Sequence, residues 1–171
     1  MILFWVVVFF VLLFGSVVFF GAPYVPSLRK EVRRAFEELY PLGDDDLVVD
    51  LGSGDGVVLQ EAAHRGARGI GYEINPLLVV LSSLRLRGKA SVRLRSMWSV
   101  ELPTDATLIY IFSVSRDSRK LGRYLQAQAD RQNRALRVMT FGTGLKDYSP
   151  VKTLNAHSLY ELTPSKPALK S

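Results

Sequence analysis

Asp50-Leu51-Gly52-Ser53-Gly54-Asp55-Gly56 is the stretch of this chain whose residue types and spacing could do chemistry. Glycines at alternate positions let backbone approach backbone, or a ligand, with no Cβ in between. A β-rich run (47–51) precedes the loop and a helical pattern (57–65) follows it. That junction is where an open α/β sheet binds ligands, at the carboxyl ends of its strands. The next β-rich run closes with Gly71-Tyr72-Glu73-Ile74-Asn75-Pro76. Glu73 follows the loop by about the interval of a carboxylate that hydrogen-bonds ribose hydroxyls. A dinucleotide fingerprint would read G-x-G-x-x-G, its helix N-terminus cradling a pyrophosphate. Here the spacing is G-x-G-x-G, position 57 is Val, and Asp50 and Asp55 would repel an anion. A cationic sulfonium or amine suits those acids, so the chemistry favours S-adenosylmethionine. A P-loop is excluded, since no Gly-Lys-Ser/Thr follows. A glycine turn without a ligand is the bland alternative, outweighed by the loop, its strand context and Glu73 together.

The remaining reactive side chains are sparse. The chain has no cysteine, which excludes a disulfide, a thiolate nucleophile and a Cys-ligated metal. His64 ends a predicted helix and His157 falls in a predicted loop; neither has a second ligand at metal spacing, so surface or capping roles are expected and no metal site is assigned. No nucleophile elbow supports a Ser-His-Asp reading. Net charge is +6, with bases gathered at Arg85, Arg87, Lys89, Arg93 and Arg95, and again at Arg116, Arg119, Lys120, Arg123, Arg131, Arg134 and Arg137. Nucleic acid is one partner such patches fit; anionic lipid headgroups rank ahead of it, and a plain solvated face explains much of the charge.

Short β-rich runs at 47–51, 69–74, 90–95, 107–112 and 136–141 alternate with helical patterns at 57–65, 76–87 and 115–129, and 153–163 reads as one or two short strands. Alternation of this kind predicts an α/β, Rossmann-like, doubly wound and mostly parallel sheet. No Lys, Arg, Asp or Glu precedes Arg29, and residues 1–21 read MILFWVVVFFVLLFGSVVFFG. About 20 apolar residues suffice to cross the roughly 30 Å hydrocarbon core, so one amino-terminal transmembrane helix is expected over 1–22. The bases from Arg29 onward then put the domain on the cytoplasmic or matrix-equivalent side of the membrane. A proline-hinged connector and amphipathic helix, capped by Ser27, follow over 23–43; the ligand-binding domain spans 44–163 and a tail 164–171.

The first motif, Asp50 to Gly56, resembles that of class I, seven-strand S-adenosylmethionine-dependent methyltransferases. The longer pattern VVDLGSGDG and GIGYEINP, within 48–76, is similar to the single-span, membrane-anchored protein-lysine methyltransferases that modify the adenine-nucleotide carrier and the ATP synthase c-subunit. The apolar leader, Pro23-Tyr24-Val25-Pro26 and Met97-Trp98 fit that group. The resemblance implies that Asp50, Gly52, Ser53, Gly54 and Gly56 frame the methionine part of the cofactor, that Glu73 holds the ribose, and that Asn75 lies beside the adenosine. Ser96 stands where the group often carries an acid near the adenine amine. Trp98 borders the adenine or serves as a core tryptophan. The segment after the fourth strand, Ile111 to Ser115, faces substrate in this fold. It lacks the Asn/Asp-Pro-Pro-Tyr/Phe motif, which argues against amide and adenine-amine acceptors. Ser113 and Tyr24 are pocket candidates, and no residue stands out as a catalytic base. The resemblance implies N-methylation of a lysine of a membrane protein; a lipid or quinone-type acceptor and a non-catalytic cofactor-binding scaffold are the alternatives.

Overall fold

A computed structural model of the chain describes residues 1, 3–8 and 29–165. The first labelled element is helix α1 (Arg29–Glu38), whose Val32, Ala35 and Phe36 form one buried face before Pro41 ends the run. Strand β1 (Leu47–Leu51) is buried at every position, as a central parallel strand covered on both faces must be. Helix α2 (Val57–Ala63), β2 (Arg68–Glu73), α3 (Pro76–Leu86) and β3 (Ser91–Leu94) follow, then a 3₁₀ turn at Met97–Ser99, β4 (Leu108–Ser113), α4 (Ser118–Gln132) and β5 (Leu136–Gly142). Two final strands, β6 (Lys152–Leu154) and β7 (His157–Leu162), are joined by a tight turn in which Asn155 takes a positive φ of 52°.

The seven strands form one sheet in the order β3-β2-β1-β4-β5-β7-β6. All neighbours are parallel except β7, which runs antiparallel to both β5 and β6. Strand alternation sorts the core into two layers. Val48, Leu108, Tyr110, Met139 and Leu159 pack under α1 and α2, while Val49, Ile109, Ile111 and Val138 pack against Leu121 and Leu125 of α4. The expected Rossmann-like sheet is present with all seven strands. Helix α4 starts three residues later than its pattern suggested, because Ser115 to Ser118 form a turn in which the Asp117 and Ser118 amides donate to the Val114 and Ser115 carbonyls.

The expectation of a membrane location is corrected. Among the described residues no helix is long and apolar enough to cross a membrane. The described helical stretch at 3–8 rises about 9 Å, against a hydrocarbon core of roughly 30 Å. The rest of the run on which the transmembrane helix was read, together with Tyr24 and Ser27, lies outside the described residues.

A buried carboxylate fastens α1 to α2. Glu61 of α2 is 1% exposed and accepts from Arg29, Arg33 and Arg65. Burial works against its ionised form, but the guanidiniums of Arg29 and Arg33 prevail and hold its carboxyl below the usual range.

Candidate functional site

The glycine loop leaves β1 at the carboxyl edge of the sheet. Gly52, Gly54 and Gly56 all have positive φ, at 88°, 52° and 80°, a backbone region that L side chains rarely adopt. Around the position a Gly52 Cβ would take, nothing lies within 4 Å, so this corner of the loop opens onto free space. Gly56 serves a different purpose: a Cβ there would lie 2.9 Å from Ser82 Cβ, so its absence lets α3 close on the loop.

Glu73 is the brace of the site. Its Oε1 accepts from the Ile74 and Asn75 amides at 2.8 Å each, and its Oε2 from the Gly54 amide at 2.9 Å. A carboxylate has about four acceptor positions, so Glu73 ties loop to strand and keeps acceptor capacity on Oε2. The Gly52 and Ser53 amides add bonds to the Tyr72 carbonyl at 2.8 and 3.1 Å. Gly71 makes this close approach possible, since a Cβ there would meet Ser53 Oγ at 2.6 Å.

Asp50 is the unsatisfied acid of this buried corner. It is 2% exposed, and its Oδ2 has no hydrogen-bond partner. Burial, then the negative charges of Glu73 and Asp55, push its carboxyl well above the usual carboxylate range. Asp55 does not share that role: Arg85 of α3 donates to its carboxylate and, at 3.0 Å, to its carbonyl. Of the three acids around the loop, Asp55 is thus ion-paired, while Asp50 feels the charge of Glu73.

No model of a known protein family matches the chain. It is 29% identical over 119 residues to the Homo sapiens lysine N-methyltransferase of the ATP synthase c-subunit, a match covering 67% of this chain and 50% of that one. It is 30% identical over 113 residues to the protein-lysine N-methyltransferase of Saccharolobus islandicus, covering 62% of this chain and 69% of that protein. The chain belongs to the protein-lysine N-methyltransferase family. It spans about half the length of the animal relatives it matches. Among solved structures, an RNA methyltransferase from Salinibacter ruber in complex with S-adenosyl-L-homocysteine superimposes with a TM-score of 0.69 at 24% identity, over 85% of this chain and 98% of that one. At this identity the likeness carries the fold, the seven-strand sheet of class I methyltransferases.

In this lysine methyltransferase relative, Asp50, Gly52, Ser53, Gly54, Gly56 and Glu73 come together around one loop, and Asn75 adjoins them. Asn75 Oδ1 accepts from the Leu77 amide at 3.0 Å and so caps α3, the role its position before Pro76 equips it for. Ser96 stands before the 3₁₀ turn, its carbonyl accepting from the Ser99 amide and hydroxyl, its own side chain making no capping bond. Trp98 is half-buried, edge-on to Tyr124 at 6.0 Å with Lys120 Nζ 3.9 Å above its ring, so packing between the turn and α4 accounts for it. Ser113 is 3% exposed, with its Oγ unpartnered, and strand alternation sets it with Ile109 and Ile111 on the α4 side of the sheet, away from Asp50.

His157 departs from its expected place. It is not in a loop at the surface but opens β7, fully buried, with Nε2 2.9 Å from the Tyr110 hydroxyl. Burial pushes its imidazole down to about 4, with the Glu31 charge opposing. The hairpin of β6 and β7 is what carries it inside. Also missed was an aromatic row at the sheet's carboxyl edge, Phe112 beside Phe141 at 6.0 Å and Phe141 against His157 at 4.8 Å. The signal available was a phenylalanine closing two of the β-rich runs. Gly71 was legible in the same way, as a glycine inside a strand that marks a close backbone approach.

Proposed function

We propose that this chain is an S-adenosylmethionine-dependent methyltransferase that N-methylates a lysine side chain of a protein, with residues 44–163 as the methyl-transfer domain. The observation that carries the reading is the corner of Asp50, Gly52 and Glu73: a buried carboxylate oxygen with no partner, beside a loop whose open side a Cβ would fill, braced by an acid with acceptor capacity left. An orphaned buried carboxylate is costly unless something positive faces it, and the cofactor's α-ammonium and sulfonium are positive. When bound, S-adenosylmethionine supplies a methyl group on a sulfonium.

The chain's own residues do the rest. Asp50, Gly52, Ser53 and Gly54 frame the methionine end, and Gly56 lets α3 close on them. Glu73 accepts from ribose hydroxyls. Asn75 and Ser96 border the adenosine, while Trp98 packs on α4. A lysine with an ordinary pKa of about 10.4 must lose its proton before it can accept a methyl group. A dry pocket lowers that value by disfavouring the charged amine, so the site needs position and desolvation more than a strong base. A protein-lysine acceptor is supported by the family and by the names of the relatives.

The test has two parts. Calorimetry on the chain with S-adenosylmethionine is expected to show binding that falls at least tenfold in Gly52→Val and Glu73→Ala, with folded far-UV spectra in both. Incubation with methyl-tritiated cofactor and a cell protein extract, followed by acid hydrolysis, is expected to leave label in methylated lysines. Absence of cofactor binding overturns the reading as a whole, and label confined to the organic-soluble fraction overturns the lysine acceptor.

A further inference from the structure

The carboxyl ends of β4 and β5 carry two phenylalanines in register, Phe112 opposite Phe141, with ring centroids 6.0 Å apart and planes inclined by 39°. Both are half-buried. Their place relative to the glycine loop follows from strand pairing. Asp50 pairs with Tyr110 and Leu51 with Ile111, so the chain turns into Gly52 at the level where Phe112 stands. Alternation sets Phe112 on the same face as Tyr110, which packs against Phe36 of α1, and Asp50 shares that face with Val48. Phe112 thus stands level with Gly52 on the face of the sheet that carries the orphaned carboxylate, with Phe141 one strand further along.

His157 lies against Phe141 and bonds Tyr110, yet its Nδ1 has no partner. The turn after β5 is pinned: the Thr143 amide donates to the Ser113 carbonyl at 3.0 Å and the Gly142 amide to the Ala156 carbonyl at 2.9 Å. A Gly142 Cβ would lie 2.8 Å from the Ser113 carbonyl oxygen, so the two strand ends are held together and the ring pair with them.

Aromatic faces attract cations that come within about 6 Å of the ring centroid, and alkylated ammonium groups gain most because they shed water easily. Two rings inclined at 39° offer one shared platform to a single nitrogen. We propose that Phe112 and Phe141 form the receiving platform for the acceptor nitrogen, and that it prefers amines already methylated. The proposal rests on the methyltransferase reading above and adds the residues that select the acceptor. A site that grips a methylated amine harder than a bare one favours successive methylation of the same side chain.

The probe is Nα-acetyl-Nε-trimethyllysine methylamide, titrated into the full chain in the presence of S-adenosylhomocysteine and followed by proton NMR, beside its neutral isostere in which carbon replaces the quaternary nitrogen. The charged probe is expected to bind roughly tenfold more tightly than the isostere, with its N-methyl resonance moved upfield by the ring currents. Phe112→Leu and Phe141→Leu, which keep apolar bulk, are expected to lose both the preference and the upfield shift. Phe112→Tyr and Phe141→Tyr should keep them, which separates loss of the ring face from loss of the fold. Equal binding of the two probes, no binding of either, or an undiminished preference in the folded leucine variants overturns the platform. Cofactor calorimetry on the same samples reports separately on the methyltransferase reading.

Discussion

Asp50 is in an unfavourable state for stability and a favourable one for binding a cation. Its carboxyl is buried, lacks a partner on Oδ2 and titrates above the usual range. The folded chain therefore holds a proton there that the unfolded chain releases near its ordinary pKa of about 3.9. Between those two values stability falls as pH rises, because the folded state binds more protons. Asp50→Asn removes that penalty and is expected to melt a few degrees higher at neutral pH. The same substitution removes the negative charge that faces the cofactor. Affinity for S-adenosylmethionine should strengthen with rising pH in the parent as Asp50 ionises, and in the variant become flat with pH and roughly tenfold weaker at pH 7. Calorimetry and thermal melts at matched pH check both arms together.

At the scale of elements, the site is an agreement between β1, β2 and the loop that joins β1 to α2. Glu73 holds the loop from below, and Gly71 lets it sit that close. Gly71→Ala would set a Cβ 2.6 Å from Ser53 Oγ and 2.8 Å from Leu59 Cδ1. Overpacking of that kind costs about 1–3 kcal/mol, to be read from the urea midpoint, and the displaced loop should weaken cofactor binding as well. The central strands were legible because β1, β4 and β5 are short, apolar, β-branched runs between turn residues, and the loop because its glycines stand at fixed spacing after one of them. The helix starts were less legible: Ser115 to Asp117 have helix-compatible composition, yet their backbone is used for a turn. Asp55 shows another limit. Its side chain looked like lining of the loop, but Arg85 lies 30 residues away in sequence and claims it. A long-range ion pair leaves no local pattern to read.

For the whole molecule, stability toward acid also rests on groups outside the loop. His157 is the clearest case, a neutral imidazole inside the sheet with its pKa pushed down to about 4 by burial. Unfolding exposes it and restores a value near 6.5. Its contribution is whole above about pH 6.5, is lost as pH falls toward about 4, and amounts to as much as ~3 kcal/mol. His157→Gln keeps a partner for Tyr110 without a titrating ring and is expected to flatten the urea-midpoint profile over that window. An unchanged slope would mean that other groups govern it. Nothing around position 157 in the sequence pointed inward, since His157 becomes core when β7 is inserted beside β5.

That insertion has a consequence for how the protein is made. β6 comes first in the chain but takes the outermost place, and β7 then turns back into the gap beside β5. While the chain is emerging from the ribosome, β1 to β5 can assemble with their helices, yet the edge of β5 stays bare until Leu162 is out. A bare strand edge is a template for pairing with other chains. The nascent protein thus passes through a stage in which nearly all of its binding loop exists and its sheet is still open. Chaperones that shield strand edges, and proteases that cull interrupted chains, have in that edge a feature that the finished molecule no longer displays.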